Sequence, residues 1–88
     1  MESTQVTIIN QSGLHTRPGK DFVQLAKKYE SKIIIVKDAI EYNGKSLLKL
    51  MKAGISKGEE ITIKADGEDE KAAIEALKSY VENLDPEA

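Results

Sequence analysis

Hydrophobic and polar positions follow two different periods along the chain, and these periods predict separate strands and helices. Runs rich in β-branched residues over 6–9 and 32–37 indicate two strands, a short segment over 39–42 that follows across Asp38 indicates a third, and strict alternation over 59–65 indicates a fourth. Apolar residues three and four apart predict helices over 16–29, over 46–52 and between Gly67 and Pro86. The predicted order is therefore strand, helix, strand, strand, helix, strand, helix.

This order predicts one domain over residues 1–88 in the α+β class. Each predicted helix has a single apolar stripe, so each has one side to bury. The second and third strands are separated so briefly that they must pair antiparallel. We therefore expect an open-faced sandwich, in which a four-stranded antiparallel sheet carries three helices on one face.

Composition excludes several classes of function. The chain has 13 Lys and Arg against 15 Asp and Glu, a net charge of −2, which argues against a nucleic-acid partner. It has no cysteine and one histidine, so we expect neither a disulfide nor a zinc site, and no metal or cofactor. The first five residues are polar, and no window approaches the roughly 20 apolar residues of a membrane span. We expect a cytoplasmic protein without membrane insertion.

The run from Gly13 to Gly19 carries the clearest chemical signal. It places the only histidine, His15, where a helix is predicted to begin. The start of a helix offers unpaired backbone amides, here those of Thr16 and Arg17, and a partial positive charge that favours phosphate. Arg17 adds a permanent cation that can bind phosphate oxygens in pairs. The pattern indicates phosphoryl acceptance by an imidazole nitrogen, against the simpler interpretation of an idle surface histidine.

Three motifs in the chain resemble the histidine-containing phosphocarrier (HPr) family of the bacterial phosphoenolpyruvate-dependent sugar phosphotransferase system. They are Gly-Leu-His-x-Arg-Pro at 13–18, Asn-x-Lys-Ser-Leu at 43–47 and Gly-Ile-x-Lys-Gly at 54–58, and the resemblance runs nearly end to end. The family's open-faced sandwich agrees with the order of elements predicted above.

The resemblance implies a carrier and not a free-standing enzyme. His15 would take a phosphoryl group on Nδ1 from phosphorylated enzyme I and pass it to sugar-specific enzyme IIA proteins, with Arg17 attending the group. A monomer is the simplest expectation. Two positions depart from the family's commonest pattern, because Thr16 and Gly19 stand where alanine is usual. Gly19 in a first helical turn is expected to weaken the helix by up to about 1 kcal/mol relative to alanine.

Ser46 is predicted to cap the short second helix, an interaction worth about 1 kcal/mol. In many relatives this serine is also phosphorylated by a dedicated kinase, so the resemblance implies a regulatory site and an HPr kinase/phosphorylase as a third partner. Phosphate there would add nearly two negative charges to a docking surface.

The short second helix has more apolar residues than one side can bury. We assign Leu50 to the core and expect Leu47 and Met51 to be exposed, while Leu48 fits either the core or the surface. The resemblance and the helical spacing on the first helix together predict a partner-docking surface of Thr16, Lys20, Gln24, Lys27, Leu47, Leu48, Lys49 and Met51.

Two alternatives stay open. The chain could be a regulatory relative, or one in the nitrogen-linked branch of the system, that acts mainly through protein binding. It could also be an α+β interaction module whose histidine has no chemistry. The identity of the enzyme IIA that it phosphorylates would test the first alternative, and the effect of His15→Ala would test the second.

Overall fold

The computed structural model describes residues 1–87 and has the predicted order of elements. The strands are β1 (Glu2–Thr7), β2 (Lys32–Lys37), β3 (Ile40–Asn43) and β4 (Glu60–Asp66). The helices are α1 (Thr16–Ala26), α2 (Leu47–Ala53) and α3 (Glu70–Glu82). None of the helices in the described residues is long and apolar enough to cross a membrane.

The four strands form one antiparallel sheet in the order β1-β4-β2-β3. Strand β4 alternates as predicted, since Ile61, Ile63 and Ala65 are buried while the residues between them are not. The fold class is therefore confirmed as an open-faced sandwich. The helices cover the buried face, with α3 against β1 and β4 and with α1 between α2 and α3. The core contains the following buried side chains: Val6, Ile8, Leu14, Phe22, Val23, Ile33, Ile35, Leu50, Ile55, Ile74, Leu77 and Val81.

The β2–β3 hairpin closes through a two-residue turn. Asp38 and Ala39 both have positive φ, 52° and 66°, which is the backbone of a type I′ turn. Lys37 pairs with Ile40 immediately before and after them. The predicted antiparallel pair is confirmed, but Ala39, which was expected to begin the second strand of the pair, lies in the turn. Alanine is an unusual residue in the left-handed region.

The ends of two elements differ from the sequence prediction. Strand β1 runs from Glu2 to Thr7 and not from Val6 to Ile9, because β4 offers backbone partners from Ala65, opposite Glu2, to Glu60, opposite Thr7. Helix α1 ends at Ala26 and not at Tyr29. Its last residues tighten into a turn in which the Tyr29 amide donates to Ala26 O at 3.2 Å. The Lys45 ammonium then donates to Tyr29 O at 2.6 Å, satisfying a carbonyl beyond the helix end.

Asp69 ties the start of α3 to the segment between α1 and β2. Its carboxylate accepts hydrogen bonds from the Ser31 hydroxyl, from the Ser31 amide at 2.9 Å and from the Glu30 amide at 2.8 Å. These bonds, that of the Ser31 hydroxyl foremost, lower the pKa of the Asp69 carboxyl below its ordinary value of 3.8. The charged form is therefore the one that stabilises the fold.

Replacing Asp69 by asparagine should lower stability at neutral pH, because the amide cannot accept all three hydrogen bonds as a carboxylate does. The folded pKa is depressed, so the stabilisation is complete above the ordinary value and is lost as pH falls through the folded value. In urea unfolding, the free energy of unfolding of Asp69→Asn should be lower than that of the parent at pH 7. This difference should become smaller below pH 3.8. Glu68→Gln, on an exposed neighbour, is the control. A gap that does not change with pH would contradict this assignment.

Candidate functional site

The loop from β1 to α1 is fastened to the body of the protein immediately before the histidine. Leu14 is fully buried, and its amide donates to Ile55 O at 3.2 Å. The Asn10 side-chain amide donates to Gly13 O at 2.8 Å, and the Gly13 amide donates to Asn10 O at 3.2 Å. A buried anchor and three hydrogen bonds therefore fix the backbone that leads into His15.

Gly13 is required at its position for two reasons. Its φ is +61°, and a Cβ built on it would lie 2.1 Å from Ile55 O. That distance is shorter than any ordinary contact, and the atom that it meets is backbone. Only glycine allows this loop to lie so close to the 54–58 loop.

His15 is the N-cap residue of α1, as predicted. It has extended backbone angles, φ −99° and ψ 163°, and its side chain makes no capping hydrogen bond. The imidazole is half-exposed. Within residues 1–87 the amides of Thr16 and Arg17 have no hydrogen-bond partner, whereas Pro18 has no amide hydrogen and the Gly19 amide donates to His15 O at 3.4 Å. Two open donors thus lie beside an accessible ring.

Arg17 supplies an available cation. Its side chain is exposed, and within the described part of the chain its guanidinium has no ion pair or hydrogen bond. It lies at an open cleft of about 380 Å³ lined by Ser12, Thr16, Arg17, Pro18, Asp21, Tyr80 and Leu84. His15 is not among the lining residues of this cleft.

Tyr80 connects α3 to the first turn of α1. Its hydroxyl donates to Pro18 O at 3.2 Å, and its ring lies 6.5 Å from that of Phe22 between centroids. Burial raises the pKa of the Tyr80 hydroxyl, the Asp21 carboxylate raises it further, and Arg17 opposes both. The hydroxyl therefore stays protonated and remains a hydrogen-bond donor. Sequence periodicity did not single out Tyr80.

Lys37, at the end of β2, holds the end of α2 and the loop that follows it. The Lys37 ammonium donates to Ala53 O at 2.9 Å and Gly54 O at 2.8 Å, and pairs with Glu59 at 3.0 Å. Glu59 also accepts from the Ser56 amide at 2.7 Å. Lys37 is the main cause that lowers the pKa of the Glu59 carboxyl, and His15 contributes weakly. No sequence period signals this contact, because it joins a strand end to a distant loop.

Helix α2 begins and ends as predicted. The Ser46 hydroxyl accepts from the Lys49 amide at 3.3 Å, and Gly54 ends the helix in the left-handed conformation, φ 62°. The cap assigned to Ser46 is confirmed.

The apolar side chains of α2 depart in part from the prediction. Leu50 is buried and Met51 is exposed, as expected. Leu47, however, is only half-exposed because it packs against the core, and Leu48 is 65% exposed and so lies outside the core. The expectation that Leu47 is exposed was therefore wrong in degree, since a two-turn helix gives too few positions to orient its stripe.

Both parts of the predicted docking surface lie on adjacent helices. On α1 the structure exposes Thr16, Lys20 and Gln24, and it exposes Lys27 just after the end of that helix. On α2 it exposes Leu48, Lys49 and Met51. The two helices meet where Leu47 approaches Gly19: a Cβ at Gly19 would lie 3.5 Å from a Leu47 methyl. Basic and apolar side chains thus lie side by side near His15.

Both the sequence and the fold of this chain are similar to those of known proteins. The family model described as the PTS HPr component phosphorylation site matches residues 2–83. The phosphocarrier protein HPr of Buchnera aphidicola is 45% identical over 85 residues, covering 97% of this chain and 100% of that protein. HPr of Thermoanaerobacter tengcongensis superimposes with a TM-score of 0.91 at 40% identity, covering 93% and 92% of the two chains. The Bacillus subtilis catabolite repression protein Crh, solved as a dimer with a swapped domain, gives 0.77 at 38% identity, covering 97% and 98%.

Gly13→Ala should destabilise the protein more than Gly58→Ala does. Both glycines have positive φ, but nothing lies within 4 Å of a Cβ at Gly58, whereas one at Gly13 meets the Ile55 carbonyl. Both variants place alanine at a positive φ, so the difference between their free energies of unfolding reports the clash of the new Cβ with Ile55 O. We expect this clash to cost about 1–3 kcal/mol. Urea unfolding measures the stability of both variants. Equal losses of stability in Gly13→Ala and Gly58→Ala would contradict a tight contact between the two loops.

Proposed function

The chain belongs to the HPr family of phosphocarrier proteins, and from that premise we propose that His15 accepts a phosphoryl group from phosphorylated enzyme I and passes it to enzyme IIA proteins. One observation carries the proposal: the ring at the start of α1 is not used as a cap, although two open amides adjoin it. A histidine with a purely structural role would be expected to bond to the helix that it begins.

The transfer is an in-line exchange at phosphorus. The lone pair of imidazole Nδ1 forms the new bond as the bond between phosphorus and the donor breaks, and the donor atom keeps that electron pair. Charge on the three phosphoryl oxygens meets the amides of Thr16 and Arg17 and the free guanidinium of Arg17. The reverse sequence delivers the group to enzyme IIA.

The protein acts as a carrier and not as a catalyst in its own right. Its own site supplies two amides and one cation, so the remaining catalytic groups belong to the partner that docks. No cofactor takes part, and the relay operates in the cytoplasm. These assignments rest on the family and on the small number of groups around His15.

We assign docking to Thr16, Lys20 and Gln24 on α1, to Lys27 immediately after that helix, and to Leu47, Leu48, Lys49 and Met51 on α2. Exposed leucine and methionine suit an interface that must bind several partners in turn, because methionine adapts to different surfaces. Lysines at the rim suit acidic partners and fast association. The net charge of −2 makes this patch a local exception to the charge of the whole chain.

Ser46 is the proposed regulatory site, and an HPr kinase/phosphorylase is its proposed partner. Its hydroxyl already accepts the Lys49 amide, so a phosphate there lies at a helix start that tolerates negative charge. The folded state therefore survives modification, while the adjacent docking surface loses most of its positive charge.

A regulatory role without sugar uptake is the second candidate. The likeness to Crh, a catabolite repression protein, favours it. The two roles differ downstream, since only a transport carrier passes its phosphate to a sugar-specific enzyme IIA. We assign the protein as a monomer. Because Crh was solved as a dimer with a swapped domain, the oligomeric state should be measured by analytical sedimentation.

The purified protein should acquire an acid-labile, base-stable phosphate when incubated with phosphoenolpyruvate and enzyme I. His15→Ala should lose it completely, because no second histidine exists. Arg17→Ala should retain the site but accept phosphate on the order of 10²-fold more slowly, as expected for loss of a charge-stabilising group. Labelling that survives in His15→Ala would refute the proposed acceptor.

Ser46→Asp should weaken docking to enzyme I, with KM rising on the order of tenfold and kcat little changed, because a charge at the rim acts on association. Ser46→Asn is the matched control: it keeps a capping acceptor without adding charge. Steady-state phosphorylation of both variants by enzyme I separates the effect of the added charge from the effect of replacing the serine. Equal KM values for Ser46→Asp and Ser46→Asn would rule out the electrostatic explanation.

A further inference from the structure

Asp21 places a carboxylate in the open cleft that Arg17 also lines. The two residues are four positions apart on α1, so their side chains lie on the same face of the helix. Of the residues three and four positions away from Asp21 along the chain, only Arg17 is charged. An acidic group is therefore held beside the cation that is proposed to meet the phosphoryl group.

The stability of the fold does not explain this acidic side chain. Asp21 is exposed, and within residues 1–87 its carboxylate forms no ion pair and accepts no hydrogen bond. It lies in the second turn of α1, whose first turn has no acidic residue, so it is too far along the helix to benefit from the helix dipole. Its surroundings point to a role in the cleft itself.

The Tyr80 hydroxyl shows that the charges of Asp21 and Arg17 face the same space. Burial is the main cause that raises the pKa of this hydroxyl, Asp21 raises it further, and Arg17 lowers it. One hydroxyl responds to both charges because both lie near it.

Arg17 and Asp21 nevertheless do not close into an ion pair in the described part of the chain. A cation that precedes its acidic partner by four residues is the weaker orientation of such a pair on a helix. The guanidinium is therefore attracted towards Asp21 without being fixed by it, and it stays available to a second anion.

From this juxtaposition we propose that Asp21 is a positioning residue that acts through Arg17 and weakens the hold of the site on the phosphoryl group. The carboxylate and the phosphoryl oxygens compete for one guanidinium. Asp21 draws that guanidinium towards a cleft that His15 does not line. The bond between Nδ1 and phosphorus then forms less completely from enzyme I and breaks more readily towards enzyme IIA. This inference rests on the proposed function.

The first test measures the equilibrium constant of phosphoryl exchange with enzyme I for the parent and for Asp21→Asn. We expect Asp21→Asn to shift this constant about threefold towards phosphorylated His15, which is a typical effect of one exposed charge pair. The shift should become smaller at high salt, because exposed charges are screened. Glu75→Gln removes an exposed acidic side chain of α3 outside the cleft and should leave the constant unchanged.

A double-mutant cycle tests whether Asp21 acts through Arg17. In an Arg17→Ala background, Asp21→Asn should no longer shift the equilibrium constant, because the group for which the two anions compete is absent. A shift of the same size in that background would show that Asp21 repels the phosphate directly, and this result would overturn the proposed role.

A third measurement needs no enzyme I. In a titration of the unphosphorylated protein followed by NMR of the labelled Tyr80 ring, the pKa of Tyr80 should be lower in Asp21→Asn than in the parent. The Tm should change little, because the replaced side chain has no partner that stabilises the fold. An unchanged Tyr80 pKa would show that Asp21 does not face the cleft.

Three further results would overturn the inference. They are an unchanged equilibrium constant in Asp21→Asn, an equal shift in Glu75→Gln, and a change confined to KM for enzyme I, which would assign Asp21 to docking. Failure of the parent itself to accept phosphate would instead refute the proposed function, while the Tyr80 titration would still test the placement of the two charges.

Discussion

The close approach of two loops, at Gly13 and Ile55, is the constraint on which the rest of the site depends. The Ile55 carbonyl accepts the Leu14 amide, and no side chain fits between the loops. Leu14 then fills the core, so the next residue, His15, must emerge at the surface. The loop that carries Ile55 is itself held by Lys37, which binds the carbonyls at the end of α2. A chain of backbone contacts thus connects the core to the partly exposed ring of His15.

Periodicity predicted the elements well because burial on one face controls which residues can occupy it. In β4 the alternation of Ile61, Ile63 and Ala65 gave both the strand and its buried side, and the structure confirms both. Element ends were predicted less well. The polar residues after Met1 carry no apolar period, yet the β1 strand extends back to Glu2 because a neighbouring strand supplies hydrogen bonds. Pairing of this kind depends on partners that are far away in sequence.

The site was predictable where it depends on consecutive residues and unpredictable where it depends on distant contacts. His15 at a helix start and Ser46 as a cap could be inferred from local sequence, and the structure places both accordingly. The close approach at Gly19 could not, because it depends on the Leu14 carbonyl, which would lie 2.4 Å from a Cβ at Gly19. The contact of Lys37 with the α2 terminus was equally invisible, since no local rule joins a strand end to that helix.

Rigidity in the backbone, combined with few groups at the ring, fits the requirements of a carrier. A site that bound phosphate strongly would accept it from one partner and fail to release it to the next. Around His15 the scaffold is fixed by buried backbone, whereas the contacts available to a phosphoryl group are two amides and one exposed arginine. The orienting work is done before docking, so little ordering of the His15 backbone is needed at each encounter.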